Sequence, residues 1–317
     1  MIKRFDVICI GAALVDMIAK VERHPLDDDE VFVSELKLMS GGAAANTAHA
    51  CAKLGLKTAF IGKLGLNDTF ASKILNDFDE VMVDCSLIKY SKEYGTGSAY
   101  VALNQEGDRR IYAHSGAANY LSKQDIMEKE LTSSNIIFLS SLKNLNPFIK
   151  AAELARKNEM ITILNPGMLI IDQGLEKIKN LLANIDIFIL SKREFKSLLS
   201  IKEEKLNEDL LAEKALILIE LGIKVIIITM GEKGAFLMDK NNSELIPSPE
   251  ISNVVDTTGA GDAFSAGFIC GFLQDLSFGF KDLKRNIHVG NFIAGKCIQQ
   301  LGARNGIPDA LELKNLF

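Results

Sequence analysis

The sequence predicts an α/β fold: a mostly parallel central sheet with helices on both faces, and a small β-sheet set apart from it. Three observations carry this reading. From residue 122 onward, short Val/Ile-rich runs alternate with helical segments at the spacing of right-handed βαβ crossovers. Those runs are apolar throughout, as in strands buried on both faces. Three other stretches mix apolar and polar residues as exposed strands do, which suggests a separate small sheet. There is no low-complexity tract, internal repeat or Pro/Ser linker, so one domain is expected over 1–317, with the strands of the small sheet drawn from about 12–40 and 94–115.

Taken in order, Asp6 to Ile10 reads as a buried first strand ending at Gly11, with Asp16 in the loop beyond it. Glu30 to Met39 reads as an exposed strand. Gly41 and Gly42 open a helix that stops at Gly55. Thr58 to Ile61 is the next strand, and Asn67 or Asp68 caps the helix after it. Ser98–Leu103 and Arg110–Ala113 form a hairpin through Glu106-Gly107-Asp108. The alternating half then reads as helix Lys123–Lys129, strand Ile136–Leu139, helix Pro147–Asn158, strand Ile161–Leu164, helix Leu175–Ala183 and strand Ile185–Leu190. Helix Glu208–Leu221 and strands Val225–Thr229, Ala235–Met238 and Leu245–Pro247 follow, and then long helices from about Asp262 to Gln274 and Leu283 to Leu301.

The 317 residues are 48% hydrophobic, which suits a folded domain with a sizeable core. A net charge of −5 argues against nucleic acid or an anionic membrane as partner, since both need a basic surface. Five cysteines are scattered, odd in number and free of any C-x-x-C pair, as expected of reduced thiols in a cytoplasmic protein. The N-terminus runs into a short strand rather than a signal sequence, and no apolar run approaches ~20 residues, so neither export nor a membrane span is expected. His24, His49, His114 and His288 are isolated and lack metal-ligand spacing.

The chemistry concentrates in Asp256-Thr257-Thr258-Gly259-Ala260-Gly261-Asp262-Ala263-Phe264. Gly259, Ala260 and Gly261 leave the backbone unobstructed, so successive N–H groups can converge on an anion at the positive end of the following helix. Asp262 stands beside that cradle, where a carboxylate can take a proton from an alcohol. A base beside an anion hole points to phosphoryl transfer to a hydroxyl. On composition alone, a turn with a capping Asp would also account for the stretch. No G-x-x-x-x-G-K-[ST] phosphate loop, H-R-D catalytic loop or G-x-G-x-x-G after the first strand is present.

The nonapeptide resembles the C-terminal signature of the PfkB carbohydrate kinase family, the ribokinase-like kinases. Gly41, Gly42 and Asn46 match that family's N-terminal G-G-x-x-x-N signature in the expected order. The resemblance covers nearly the whole chain. It implies a three-layer ribokinase-like fold with a β-sheet lid that serves as a dimer contact in some members. It further implies that Asp262 is the base, that Gly259 to Gly261 form the anion hole, and that Asp16, Gly41, Gly42 and Asn46 contact the acceptor. Asn119, in a segment like the family's G-A-N element, is a further candidate. Thr229, Gly231 and Gly234 resemble the T-x-G-x-x-G segment at the nucleotide, and Asn291 falls where relatives place a polar side chain beside adenine. Glu194 fits the N-x-x-E motif tied to Mg²⁺, acting through water, although Ser191 stands where that motif has Asn. Asn165-Pro166-Gly167 departs from the family pattern in a similar way. Asp256 matches the region where many relatives bind a monovalent cation, which suggests K⁺.

The implied activity is transfer of the γ-phosphoryl group of ATP, with Mg²⁺, to a hydroxymethyl group of a sugar. A nucleoside such as adenosine is the alternative acceptor, since Phe32, Tyr100 and Tyr112 in the lid are candidates to face a base. Ser140-Ser141 stands where ribokinase proper tends to carry Glu, which counts against free ribose. A non-catalytic sugar or nucleotide sensor on the same fold is a third reading, against which an intact Asp262 speaks.

Overall fold

The structure, a computed structural model, describes residues 3–203 and 206–314. Its first half runs β1 (Phe5–Gly11), β2 (Leu14–Val21), β3 (Val33–Gly41), α1 (Ala43–Lys53), β4 (Thr58–Ile61), β5 (Lys63–Gly65), α2 (Thr69–Asp79), β6 (Lys89–Ser91), β7 (Thr96–Leu103) and β8 (Arg109–Gly116). The middle runs α3 (Glu128–Leu131), β9 (Ser134–Ser140), α4 (Asn146–Lys157), β10 (Ile161–Asn165), α5 (Met168–Ile171), α6 (Leu175–Leu182), β11 (Ile187–Ser191) and α7 (Lys192–Leu198). The last part runs α8 (Glu208–Ile219), β12 (Val225–Thr229), β13 (Ala235–Met238), β14 (Ser243–Ile246), α9 (Ala260–Phe272), α10 (Phe280–Cys297) and α11 (Ala310–Lys314).

Eight strands form the main sheet in the order β14-β13-β12-β11-β10-β9-β1-β4. It is parallel from β4 to β12, and β13 and β14 are added antiparallel. Alternation along the strands sends their side chains into two cores. Val7 and Cys9 join α1, α2, α9 and α10 on one face, while Ile8 and Ile10 join α4 to α8 on the other. All four of these strand residues are fully buried, and each such aliphatic side chain contributes about 1.5–3 kcal/mol. This is the three-layer α/β arrangement expected.

A second sheet has four strands in the order β3-β2-β7-β8, and β5 pairs with β6 beside it. Its centre corrects the sequence reading: Asp16 lies on β2, between β3 and β7, and not in a loop. Leu14–Val21 is apolar on both faces and broken by Asp16 and Lys20, so it shows neither clean alternation nor a continuous run.

Other corrections are local. The helix expected at Lys123–Lys129 is a 3₁₀ turn at Lys123–Asp125, closed by a Ser122/Asp125 capping box, followed by the short α3. Helix α7 adds to the expected run of helices and puts Glu194 in a first helical turn, where it forms a capping box with Ser191. Of the two candidate caps before α2, Asp68 is the one, accepting from Ala71 N at 2.6 Å. Helix α9 begins at Ala260, two residues before Asp262. Helix α10 ends at Cys297, and the Ile298 carbonyl accepts from the N–H groups of Val255 and Asp256. Among the described residues, no helix is long and apolar enough to cross a membrane.

Candidate active site

The N-terminus of α9 is positioned by its cap. Gly259 has φ +77°, in the left-handed region, and a Cβ there would lie 2.6 Å from Ala303 Cα. Only glycine meets both demands without strain. Ala260 N–H bonds back to the Thr257 carbonyl, while those of Gly261 and Asp262 have no intrachain acceptor among the described residues. A Cβ on Gly261 would meet nothing within 4 Å. The first turn of α9 therefore presents free N–H groups and the positive helix end to open space. Behind it, Asn165 Nδ2 donates to Ser265 Oγ at 3.1 Å, and Ser265 Oγ donates to the Gly261 carbonyl at 2.9 Å.

Asp262 leaves this turn toward α1. Asn46 Nδ2 donates to Asp262 Oδ2 at 2.9 Å, and Arg304 Nε donates to Asn46 Oδ1 at 2.9 Å. Burial pushes the Asp262 carboxyl up to about 7. The Asn46 hydrogen bond and Arg304 pull it down, and Glu194 pushes it further up. Such a carboxyl sits close to neutral pH, the range suited to a general base. Asp16 faces the same Arg304, and burial raises its carboxyl to about 6 against the pull of that cation. Gly41, on the neighbouring strand, makes room for it: a Cβ there would lie 2.2 Å from Asp16 Oδ2. Gly42 caps α1 at φ +95°. His49, buried on α1, is pushed down to about 3 by burial and by Arg304, so it is neutral at physiological pH.

On the other side of the α9 turn lies a cleft of about 690 Å³. Thr229, Gly231 and Gly234 line one wall, and Asn291, Ala294 and Gly295 of α10 line another. Thr257, Ala260 and Gly261 at the α9 turn line it as well. Asn291 is buried and donates to the Pro247 carbonyl at 3.2 Å. The anion cradle thus stands between this cleft and the carboxylates Asp262 and Asp16.

Match to a family model then decides what the site belongs to. Residues 4–310 fit the model described as pfkB family carbohydrate kinase. The chain belongs to the pfkB family of carbohydrate kinases. It is a sugar or nucleoside kinase, a phosphotransferase with a hydroxyl acceptor. It is 32% identical over 306 residues to a ribokinase of Staphylococcus aureus (strain COL), covering 95% of this chain and 96% of that one. A deoxyribokinase of Salmonella typhi is 27% identical over 271 residues, 85% of this chain and 86% of its own. Among solved structures, Arabidopsis thaliana ribokinase complexed with ribose and ATP matches at TM-score 0.88 and 25% identity, covering 98% of both chains.

Within this pfkB kinase, the remaining predicted residues fall into place unevenly. Asp256 is a clamp: Oδ1 accepts from Thr258 N and Oγ1 at 3.0 and 2.7 Å, and Oδ2 from Gly302 N at 2.9 Å. Burial pushes its carboxyl up, but those hydrogen bonds and the charge of Arg109 outweigh it and hold the group below the usual range. Glu194 accepts from Ser191 N at 2.6 Å in the capping box and also bears on Asp262 through its charge. Asn119 stands apart, exposed in a 3₁₀ turn, and takes no part in the bonds joining Asn46, Asp262 and Arg304.

The lid aromatics are a correction. Asp16 pairs with Ala99 and Met39, whereas Tyr100 pairs with Met17 and Tyr112, one residue out of step. Tyr100 and Tyr112 therefore point from the opposite face of the small sheet. Phe32 precedes β3 and is 84% exposed. The face shared with Asp16 presents Ile18, Val101 and Ile111 instead. Arg109, on that same face, brings Nη1 to 3.5 Å from Thr258 Oγ1.

Arg304 was missed altogether. It follows Gly302 and Ala303 outside any helix or strand period, and no motif marks it. Only its burial, at 8% exposure, and its contact with Asn46 show its place.

Proposed function

We propose that this kinase transfers the γ-phosphoryl group of ATP to a hydroxymethyl group of a free sugar, with Asp262 as general base. The observation that carries the reading is the Asn46–Asp262 hydrogen bond, made at the open end of α9 and beside a cleft large enough for a nucleotide. The acceptor hydroxyl gives its proton to Asp262 as its oxygen bonds to phosphorus and the bond to ADP breaks. The N–H groups of Gly261 and Asp262, with the helix end behind them, hold the charge of the transferring group. Asp16, Gly41, Gly42 and Asn46 bind the other hydroxyls, and Thr229, Gly231, Gly234 and Asn291 line the nucleotide site.

Mg²⁺ fits here as an ion held largely by nucleotide phosphates and water. Among the described residues no cluster of three acidic, His or Cys side chains would ligate it, so Glu194 would act on it as a single carboxylate through water. When bound, it neutralises phosphate charge. Asp256 Oδ2 accepts one protein donor and keeps capacity for a weakly hydrated cation such as K⁺. Rates equal in K⁺ and Na⁺ buffers would remove that cation from the reading. A free sugar is preferred over a nucleoside because the face bearing Asp16 offers Ile18, Val101 and Ile111 beside charged Lys37 and Arg109 but no aromatic ring, with the tyrosines turned away.

The test is ADP release from Mg·ATP across pentoses, hexoses, sugar phosphates and nucleosides, with the Asp262→Asn protein beside it. Turnover of free sugars, reduced about 10²–10⁴-fold in the variant, is expected. Turnover of nucleosides alone would overturn the acceptor class, and an active variant would overturn the base.

A further inference from the structure

Three successive residues after α10 touch three parts of the site. Gly302 N–H donates to Asp256, Ala303 backs Gly259, and Arg304 Nε–H donates to Asn46 Oδ1. The last contact constrains chemistry as well as position. A guanidinium has donors and no acceptor, so Asn46 must turn its carbonyl oxygen to Arg304 and its amide N–H to Asp262. Were the amide reversed, its oxygen would face the Asp262 carboxyl and favour the protonated acid, which is useless as a base. Arg304 is held for this task with little else to do. Its Nη1 and Nη2 are buried without a hydrogen-bond partner among the described residues. Asp77 Oδ2 is 4.0 Å from Nη1, and the guanidinium lies 5.7 Å from the centre of the Phe78 ring.

We propose that Arg304 is a positioning residue for phosphoryl transfer: through Asn46 it fixes which group faces Asp262, and its buried positive charge favours the carboxylate form there. This inference rests on Asp262 being the base. It acts on proton abstraction and acceptor alignment and leaves the nucleotide cleft alone. The charged and titratable groups that face Asp262 are Arg304, Glu194 from α7 and Cys297 from the end of α10. Asp16 on β2, Asp77 on α2 and His49 on α1 surround Arg304 in turn. None of these others is a cation, so removing Arg304 leaves Asp262 among neutral and acidic neighbours.

The experiment follows the Asp262 carboxyl directly, by ¹³C NMR titration of Asp-labelled protein assigned with Asp262→Asn, and in parallel measures kcat and both KM values. Arg304→Met is expected to raise the titration midpoint by about one pH unit. It should also lower kcat about tenfold or more with little change in KM for ATP. Arg304→Lys, which keeps the charge, should hold the midpoint near its original value. In an Asn46→Ala background, Arg304→Met should cost less kcat than it does alone. If Arg304→Met does not fold, Arg304→Gln takes its place, keeping a donor without the charge. An unmoved midpoint in a folded, uncharged variant overturns the proposal, as does a kcat loss that follows only the fraction of unfolded protein. A midpoint that moves in a protein that phosphorylates nothing would uphold Arg304 and instead sink the assigned reaction.

Discussion

Asn46 and Asp262, 216 residues apart in the chain, meet at 2.9 Å where α1 passes the first turn of α9. That contact joins the two glycine-containing signatures into one site, and the behaviour of Asp262 can be tested from both its protonation and its surroundings.

The pH dependence of stability should carry its signature. Burial raises the carboxyls of Asp262 to about 7 and Asp16 to about 6, above the unfolded value near 4. Between about pH 4 and 7 the folded chain therefore binds more protons than the unfolded chain, and stability falls as pH rises through that window. Asp262→Asn should raise Tm by about 2–4 °C at pH 8, with the gain shrinking toward pH 4. Thermal melts of both proteins across that range are the check. The same gain at every pH would mean that the carboxyl is not the cause.

Two neighbouring glycines should respond differently. Gly259→Ala must hold φ +77° at a cost of about 1–2 kcal/mol and push against Ala303, so both Tm and kcat should fall. Gly261→Ala meets no atom within 4 Å, so it should melt like the unmodified protein yet lose about tenfold in kcat, because its methyl group enters the phosphoryl path. A fully active Gly261→Ala protein would move the cradle elsewhere.

The cleft wall offers a test of the donor site. Ala294→Trp would fill part of the 690 Å³ space beside Asn291. KM for ATP should rise about tenfold or more, with the acceptor KM unchanged. If the acceptor KM rises instead, this cleft belongs to the acceptor.

Strand alternation separates the two faces of the small sheet. Tyr112→Ala, on the face turned away from Asp16, should leave the acceptor KM within about twofold. Ile18→Ala, on the Asp16 face, should raise it about fivefold, the loss expected for one contacting aliphatic side chain. The opposite ranking would return the tyrosines to the site and revive a nucleoside acceptor.

Much of this architecture was legible in the residues because its signals are local. The parallel strands announce themselves by unbroken Val and Ile, as in Val225–Thr229, and the cradle by glycines before an apolar helix. Strand β2 was not legible, since its residues are apolar on both faces and interrupted by Asp16 and Lys20. Which face Tyr100 and Tyr112 take depends on register between strands, which a single segment does not encode. Helix α7 had a readable sign in Ser191-x-x-Glu194, where one carboxylate serves a cap and leaves a motif for metal hard to distinguish. Arg304 had none, because its meaning comes from a partner 258 residues earlier.

That separation bears on how the protein comes into being on the ribosome. Helix α1 emerges early, and the segment that orients its Asn46 is made only after α10. A chain interrupted before Gly302 would retain every strand of the three sheets while lacking the clasp on Asp256, the backing of Gly259 and the hold on Asn46. The contacts that set the α9 turn and the orientation of Asn46 are thus deferred until the segment after α10 has been made, so that a nascent chain with every strand in place still lacks them.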